Sequence, residues 1–218
     1  MLPGMRATPP KRPPPTLAYQ SQQSSLTNIT VGNTYSFASV GIGTAAADRL
    51  VIAAVRIQGG AEIDTVTIGG VTATLAAIDF DTGIYYALVP TGTTATITVL
   101  VKTATSTSCS VGVYTLTGYI NAVPYDAGNI SNAASHTVLS STWNVPLDGV
   151  LVGVSGRTGT GTVTWSGASE DYDTVVETNC GRSGAQLLQT NLPAATVTIG
   201  TTYSAAATFG KIVCAVWR

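Results

Sequence analysis

Arg49-Leu-Val-Ile-Ala-Ala-Val-Arg56 is apolar at every position between two charged ends. A half-buried strand would alternate apolar and polar residues. An amphipathic helix would show a polar face every three or four places. An unbroken apolar run this short reads instead as a strand covered on both faces. Asp148-Gly-Val-Leu-Val-Gly-Val154 repeats that character at an offset near 100 residues. Between these runs the text alternates: Thr96, Thr98 and Lys102 are interleaved with Ile97, Val99 and Val101, one face in and one face out. Turn signals recur at short intervals, among them Gly59-Gly60, Gly69-Gly70, Asp81-Thr-Gly83, Pro90-Thr-Gly92, Asp148-Gly149 and Asn191-Leu-Pro193. No apolar residues recur at helical spacing over three turns with a cap. The pattern predicts an all-β chain, an antiparallel β-sandwich or jelly-roll-like body.

The two apolar runs belong to a longer internal similarity. Val66-Thr-Ile-Gly-Gly70 resembles Val163-Thr-Trp-Ser-Gly167, Thr96-Ile-Thr-Val99 resembles Thr196-Val-Thr-Ile199, and Val111-Gly-Val-Tyr-Thr-Leu116 resembles Ile212-Val-Cys-Ala-Val-Trp217. The order is the same in both halves, which predicts a duplicated β unit spanning 47–118 and 147–218. Residues 119–146 contain no Pro/Ser-rich linker, and either half alone would bury its apolar faces poorly. The expectation is therefore a single sandwich domain over 26–218 built from two similar halves.

The first 25 residues read differently. Six of the ten prolines fall there, Pro3, Pro9, Pro10, Pro13, Pro14 and Pro15, with Arg6, Lys11 and Arg12 and no acid, giving +3 against −4 for the remainder. Proline-rich sequence favours extended geometry without internal hydrogen bonds and builds no core of its own. Fixing such a segment costs ~1–2 kcal/mol per residue, which so few apolar side chains recover poorly on their own body. The sequence thus predicts an extended arm over 1–25 that anchors to a partner surface through these prolines and cations together with Leu17 and Tyr19. Opposite charge on arm and body makes a second copy of the chain a natural partner, and exposed sheet edges also need covering.

Composition excludes several functions. Only 10% of residues are charged and the net charge is −1, so there is no electrostatic footprint for nucleic acid. No apolar run approaches the ~20 residues of a membrane-spanning helix, and 1–20 lack the apolar stretch of a secretory signal. Cys109, Cys180 and Cys214 show no CxxC or Cys/His spacing and read as buried free thiols, with one disulfide plus a thiol as the alternative. His136 is the sole imidazole and sits in a polar Ser/Asn-rich stretch without a nucleophile elbow. Asp79-Phe-Asp81-Thr-Gly83 opens like a calcium loop but has Pro90 where the bidentate Glu belongs, so it reads as a turn. Glu170-Asp-Tyr-Asp173 reads as a solvated loop. No phosphate loop is present. The expectation is a non-enzymatic protein with no catalytic residue, cofactor or metal. Trp143, Trp165, Tyr172 and Tyr125 fall in loops or near strand ends; Trp165 matches Ile68 in the repeat, which favours burial. Trp143 and Tyr172 are the candidate contacts for a host surface glycan.

Gly43-Thr-Ala-Ala-Ala-Asp-Arg-Leu-Val-Ile-Ala-Ala-Val55 followed by Val66-Thr-Ile-Gly-Gly-Val-Thr-Ala-Thr74, with Tyr85-Tyr-Ala-Leu-Val-Pro-Thr-Gly92 and Val163-Thr-Trp-Ser-Gly167, resembles a pattern in small virion structural proteins of tailed bacteriophages. The resemblance covers most of residues 35–218 and omits the arm. It implies a β-sandwich or jelly-roll-like body on a capsid or tail, present in many copies; with the arm and the exposed edges, the expectation is a homo-oligomer that touches other virion proteins, made in the bacterial cytoplasm and residing in the virion. It transfers no active-site residue. A receptor- or glycan-binding module at the virion surface is the alternative.

Overall fold

Fully apolar strands and alternating strands occupy different layers. The computed structural model describes residues 12–25, 34–58, 61–102, 107–159, 161–177 and 180–218. The first half contains β1 (Thr16–Ser25), β2 (Thr34–Gly41), β3 (Leu50–Gln58), β4 (Ile63–Ile68), β5 (Val71–Thr72), β6 (Thr74–Asp79), β7 (Thr82–Leu88), β8 (Thr94–Val101) and β9 (Ser108–Thr117). The second contains β10 (Asp126–Asn132), β11 (His136–Val145), β12 (Val150–Thr158), β13 (Val163–Ser166), β14 (Ser169–Glu177), β15 (Cys180–Leu188), β16 (Ala195–Ala207) and β17 (Gly210–Trp217). All pairings are antiparallel, and no helix occurs among the described residues.

Each half makes a five-stranded sheet, β1-β9-β3-β7-β6 in the first and β10-β17-β12-β15-β14 in the second. A smaller sheet covers each of them, β2-β8-β4-β5 on one side and β11-β16-β13 on the other. The two five-stranded sheets then pack face to face. Three cores result. Val51, Val55, Val99 and Val113 fill the first sandwich, and Leu151, Trp165, Ile199 and Cys214 fill the second. Between them Ile52, Ala54 and Tyr114 meet Val152, Val154 and Trp217. This four-layer stack explains the apolar runs. Every residue of β3 except Gln58 is buried, because one face serves the first sandwich and the other the junction. The alternating strand β8 lies in an outer layer, with Ile97 and Val99 inward and Thr96 outward. At ~1.5–3 kcal/mol for each large apolar side chain buried, the three cores are the main source of stability.

The halves are related by an approximate two-fold. β1 lies beside β14, where Tyr19 stacks on Tyr172 at 5.8 Å between centroids. The equivalent pair is β10 beside β6, where Asn129 Nδ2 donates to the Ile78 carbonyl at 2.9 Å.

Four expectations change. The body is two sandwiches joined back to back, with a junction core that a single sandwich lacks. The duplicated unit also begins earlier than 47 and 147, since β1 is the counterpart of β10. From Thr16 to Ser25 the expected arm is an edge strand of the body's own sheet, running from Thr16 opposite Thr117 to Ser25 opposite Cys109. Leu17 enters the junction core. Its polar neighbours are held by hydrogen bonds rather than by burial: Gln20 Nε2 donates to Thr115 Oγ1 and Gln22 Nε2 to Ser110 Oγ, both at 2.8 Å. The backbone ladder supplies the stabilisation that the side chains of this segment do not. Glu170–Asp173 likewise lies in strand β14, not in a loop.

Candidate functional site

The described chain begins at one end of the stack, where β9 and β17 finish and β3 and β12 start. Arg12–Pro15 approach β1 along residues 118–120. Arg12 Nη2 donates to the Tyr119 carbonyl, and a Cβ at Gly118 would stand 3.6 Å from Pro15 Cα. Gly118 has φ 71°, which glycine adopts without strain, and its N–H donates to Asp48 Oδ2 at 2.7 Å. In the second half Asp148 takes the matching position, and its Oδ1 accepts the N–H of Asn191 at 2.6 Å. Arg49 fixes the neighbouring turn. Its buried guanidinium donates to the carbonyls of Gly43, Val89, Thr91 and Gly92 at 2.8–2.9 Å, and burial pulls its pKa down.

Apolar side chains gather on this frame. Ile120, Val123 and Tyr125 are 57%, 61% and 63% exposed. Leu147 lines a recess with Ile120, exposed Leu192 accepts the Asp148 N–H on its carbonyl at 3.5 Å, and the mutually equivalent residues Leu88 and Leu188 are exposed at the ends of β7 and β15. Pro13–Pro15 and Leu147 enclose a recess of about 120 Å³ that opens beside Ile120 and Arg218. Most isolated surface apolar residues need no explanation, but a contiguous set marks an interaction surface.

The opposite end of the junction is polar. Asp81, in the β6–β7 turn, pairs with Arg56, and its Oδ1 accepts from Lys211 Nζ at 2.8 Å. Lys211 also reaches Asp79 Oδ1 at 3.1 Å. Burial pushes the Asp81 carboxyl up, but Arg56 and Lys211 outweigh it and hold it below the ordinary range. The Asp79–Gly83 segment is thus a turn whose acids pair with cations of both halves. Among the described residues no group of His, Cys, Asp and Glu converges as metal ligands.

The predicted site residues divide. Pro3, Arg6, Pro9, Pro10 and Lys11 lie outside the described residues. Arg12, Pro13, Pro14 and Pro15 line the apolar end, while Leu17 and Tyr19 belong to β1. Trp143 and Tyr172, the candidate glycan contacts, are buried and offer no ring face to a ligand. The alternation of β11 turns Trp143 into the second core, and Tyr172 is clamped between the halves over Gly112 and Gly184. Trp165 is buried, as its match to Ile68 predicts, and donates to Ser183 Oγ at 2.7 Å. Of the four aromatics singled out, Tyr125 alone is exposed. The Ile120–Val123 surface was not foreseen, although Gly118-Tyr-Ile-Asn-Ala-Val-Pro-Tyr125 carries apolar residues with no alternation to bury them. Cys109, Cys180 and Cys214 are free and buried.

No protein-family model matches the chain, and no curated protein matches it. Among solved structures it is weakly similar to the PBSX exported protein XepA, at 12% identity over 92% of this chain and 86% of that one, with a TM-score of 0.26. It is also weakly similar to a chain of Sulfolobus Turreted Icosahedral Virus, at 12% identity over 100% and 98%, TM-score 0.24. The major capsid protein P2 from Bacteriophage PM2 aligns at 10% identity over 93% and 97%, TM-score 0.24.

Proposed function

We propose that this chain is a non-enzymatic structural protein of a tailed bacteriophage particle, a capsid decoration, vertex or tail component present in many copies. It attaches through the end that carries Arg12–Pro15 and the Ile120–Tyr125 surface. The observation that supports this reading is the concentration of exposed Ile120, Val123, Tyr125, Leu147 and Leu192 beside the N-terminal strap, on a body whose polar interior groups at the other end of the junction are largely held in ion pairs. Contacts repeated over many copies reinforce one another through effective concentration, so a modest apolar face suffices in an assembly. The protein would be made in the host cytoplasm and reside in the virion.

The triple substitution Ile120→Ser, Val123→Ser, Tyr125→Ser should leave a folded chain that fails to co-sediment with particles. Normal incorporation would refute attachment through this end. The glycan-binding alternative now rests on Tyr125, and a glycan array comparing the intact chain with Tyr125→Ala separates it from attachment.

A further inference from the structure

The outer sandwiches are built alike and filled differently. Val55, Ile57, Val99 and Cys109 close the first core at the end away from the Ile120 surface, and all are fully buried. The strand pairings put Ser155, Arg157, Tyr203 and Gly210 at the matching positions of the second core.

Arg157 is 1% exposed. Its guanidinium lies over Gly181, where a Cβ would stand 2.6 Å from Cζ, and its Cζ is 6.0 Å from the Tyr203 ring centroid. Nε and Nη2 are sealed from solvent and have no hydrogen-bond partner. No described carboxylate forms an ion pair with it. Asp173 acts on it electrostatically, but Asp173 Oδ2 accepts the Val163 N–H at 2.7 Å. Nη1 lies 3.8 Å from where a Cβ on Gly159 would stand. Gly159, Thr158, Ala206 and Thr208 line a hollow of about 410 Å³, with the Thr158 and Thr208 hydroxyls bonded to each other at its rim at 2.9 Å. A buried cation whose donors meet no hydrogen-bonded counter-ion is strongly unfavourable, and Ile57 shows that the fold closes this position without a cation.

We propose that the second sandwich carries an oxyanion-binding site. A ligand bearing a carboxylate, sulfate or phosphate group enters the hollow at Gly159 and Thr208 and is held by the Arg157 guanidinium. The positive charge and the Nη1 donors suit all three groups. The site does not depend on the particle reading and stands at the other end of the molecule from the attachment surface.

Sulfate, phosphate and acetate are titrated separately into the full chain, against sodium chloride of equal ionic strength, by calorimetry and thermal unfolding. Sulfate raises most unfolding midpoints without binding, so the expected result is a saturable rise that Arg157→Met abolishes. Affinity should fall at least tenfold in Arg157→Met and less in Arg157→Lys. The Arg157 Nε–Hε resonance of the unsubstituted chain should shift with the same saturation curve, which keeps the test independent of how the variants fold. The order of the three anions identifies the group preferred. Identical, non-saturable behaviour in all four salts with an unmoved Arg157 resonance would overturn the site, as would undiminished binding by Arg157→Met.

Discussion

Two halves with matching strand order are filled differently where their outer cores close. In the first, Val55, Ile57 and Val99 complete an apolar plug; in the second, Ser155, Arg157 and Tyr203 stand in their places. The junction between them has stayed largely apolar, with its charges confined to one end. Both halves thus keep what each needs, a sheet face to bury against the other. The outer sandwiches, which pack only against their own cover sheet, are filled differently.

Exchanging the two core residues sharpens that contrast most. Ile57→Arg places an unpaired charge in a closed apolar plug and should cost several kcal/mol, enough to unfold a domain of ordinary stability. Arg157→Met at the matching position should be neutral or stabilising, by up to ~1–4 kcal/mol, because a desolvated charge is replaced by apolar volume. Chemical denaturation of both variants checks this, and equal losses would mean that the halves are filled by the same rule.

The junction charges come next. Asp81→Asn leaves Arg56 and Lys211 facing each other in a buried space and should cost about 3–5 kcal/mol. Because the folded pKa of Asp81 lies below its ordinary value, its stabilisation is present above about pH 4 and is lost as pH falls through the folded pKa. Urea titration at neutral pH reads the loss. Acid titration of the intact chain should show stability falling below about pH 4, and this acid limb should shrink in the variant.

A smaller effect of opposite sign belongs to Asp171 on β14. Burial pushes its carboxyl up to about 6, although Gln186 Nε2 donates to Oδ1 at 2.9 Å. A raised carboxylate pKa means that the folded chain binds the proton more tightly. Its contribution is thus favourable below about pH 4 and declines as pH rises to about 6. Asp171→Asn should flatten the stability profile between those values and raise the unfolding midpoint above pH 6.

Much of the fold was legible because it rests on periodicity. The unbroken run of Arg49–Arg56 and its echo at Asp148–Val154 fixed two central strands, and the match of Ile68 to Trp165 foretold a buried indole. The opening strand was not legible. Thr16–Ser25 has only Leu17, Ala18 and Tyr19 as apolar residues, and a bulge between Tyr19 and Ser21 breaks its alternation, so its place depends on a backbone ladder that side chains do not announce. Trp143 and Tyr172 are buried against expectation for a related reason. Each sits among polar residues, and which face turns inward is set by register, a long-range property. The apolar end escaped notice because Ile120 and Val123 lie on one irregular connection, while Leu147 and Leu192 come from other turns that reach this end only in the folded chain.

Hydrogen exchange on the free chain and on the chain bound to its particle tests the attachment account most directly. Added protection is expected at 118–125, 145–149 and 189–193, with the outer sheets and the Arg157 end unchanged. Protection confined to the outer sheets, or none at the Ile120 end, would contradict it.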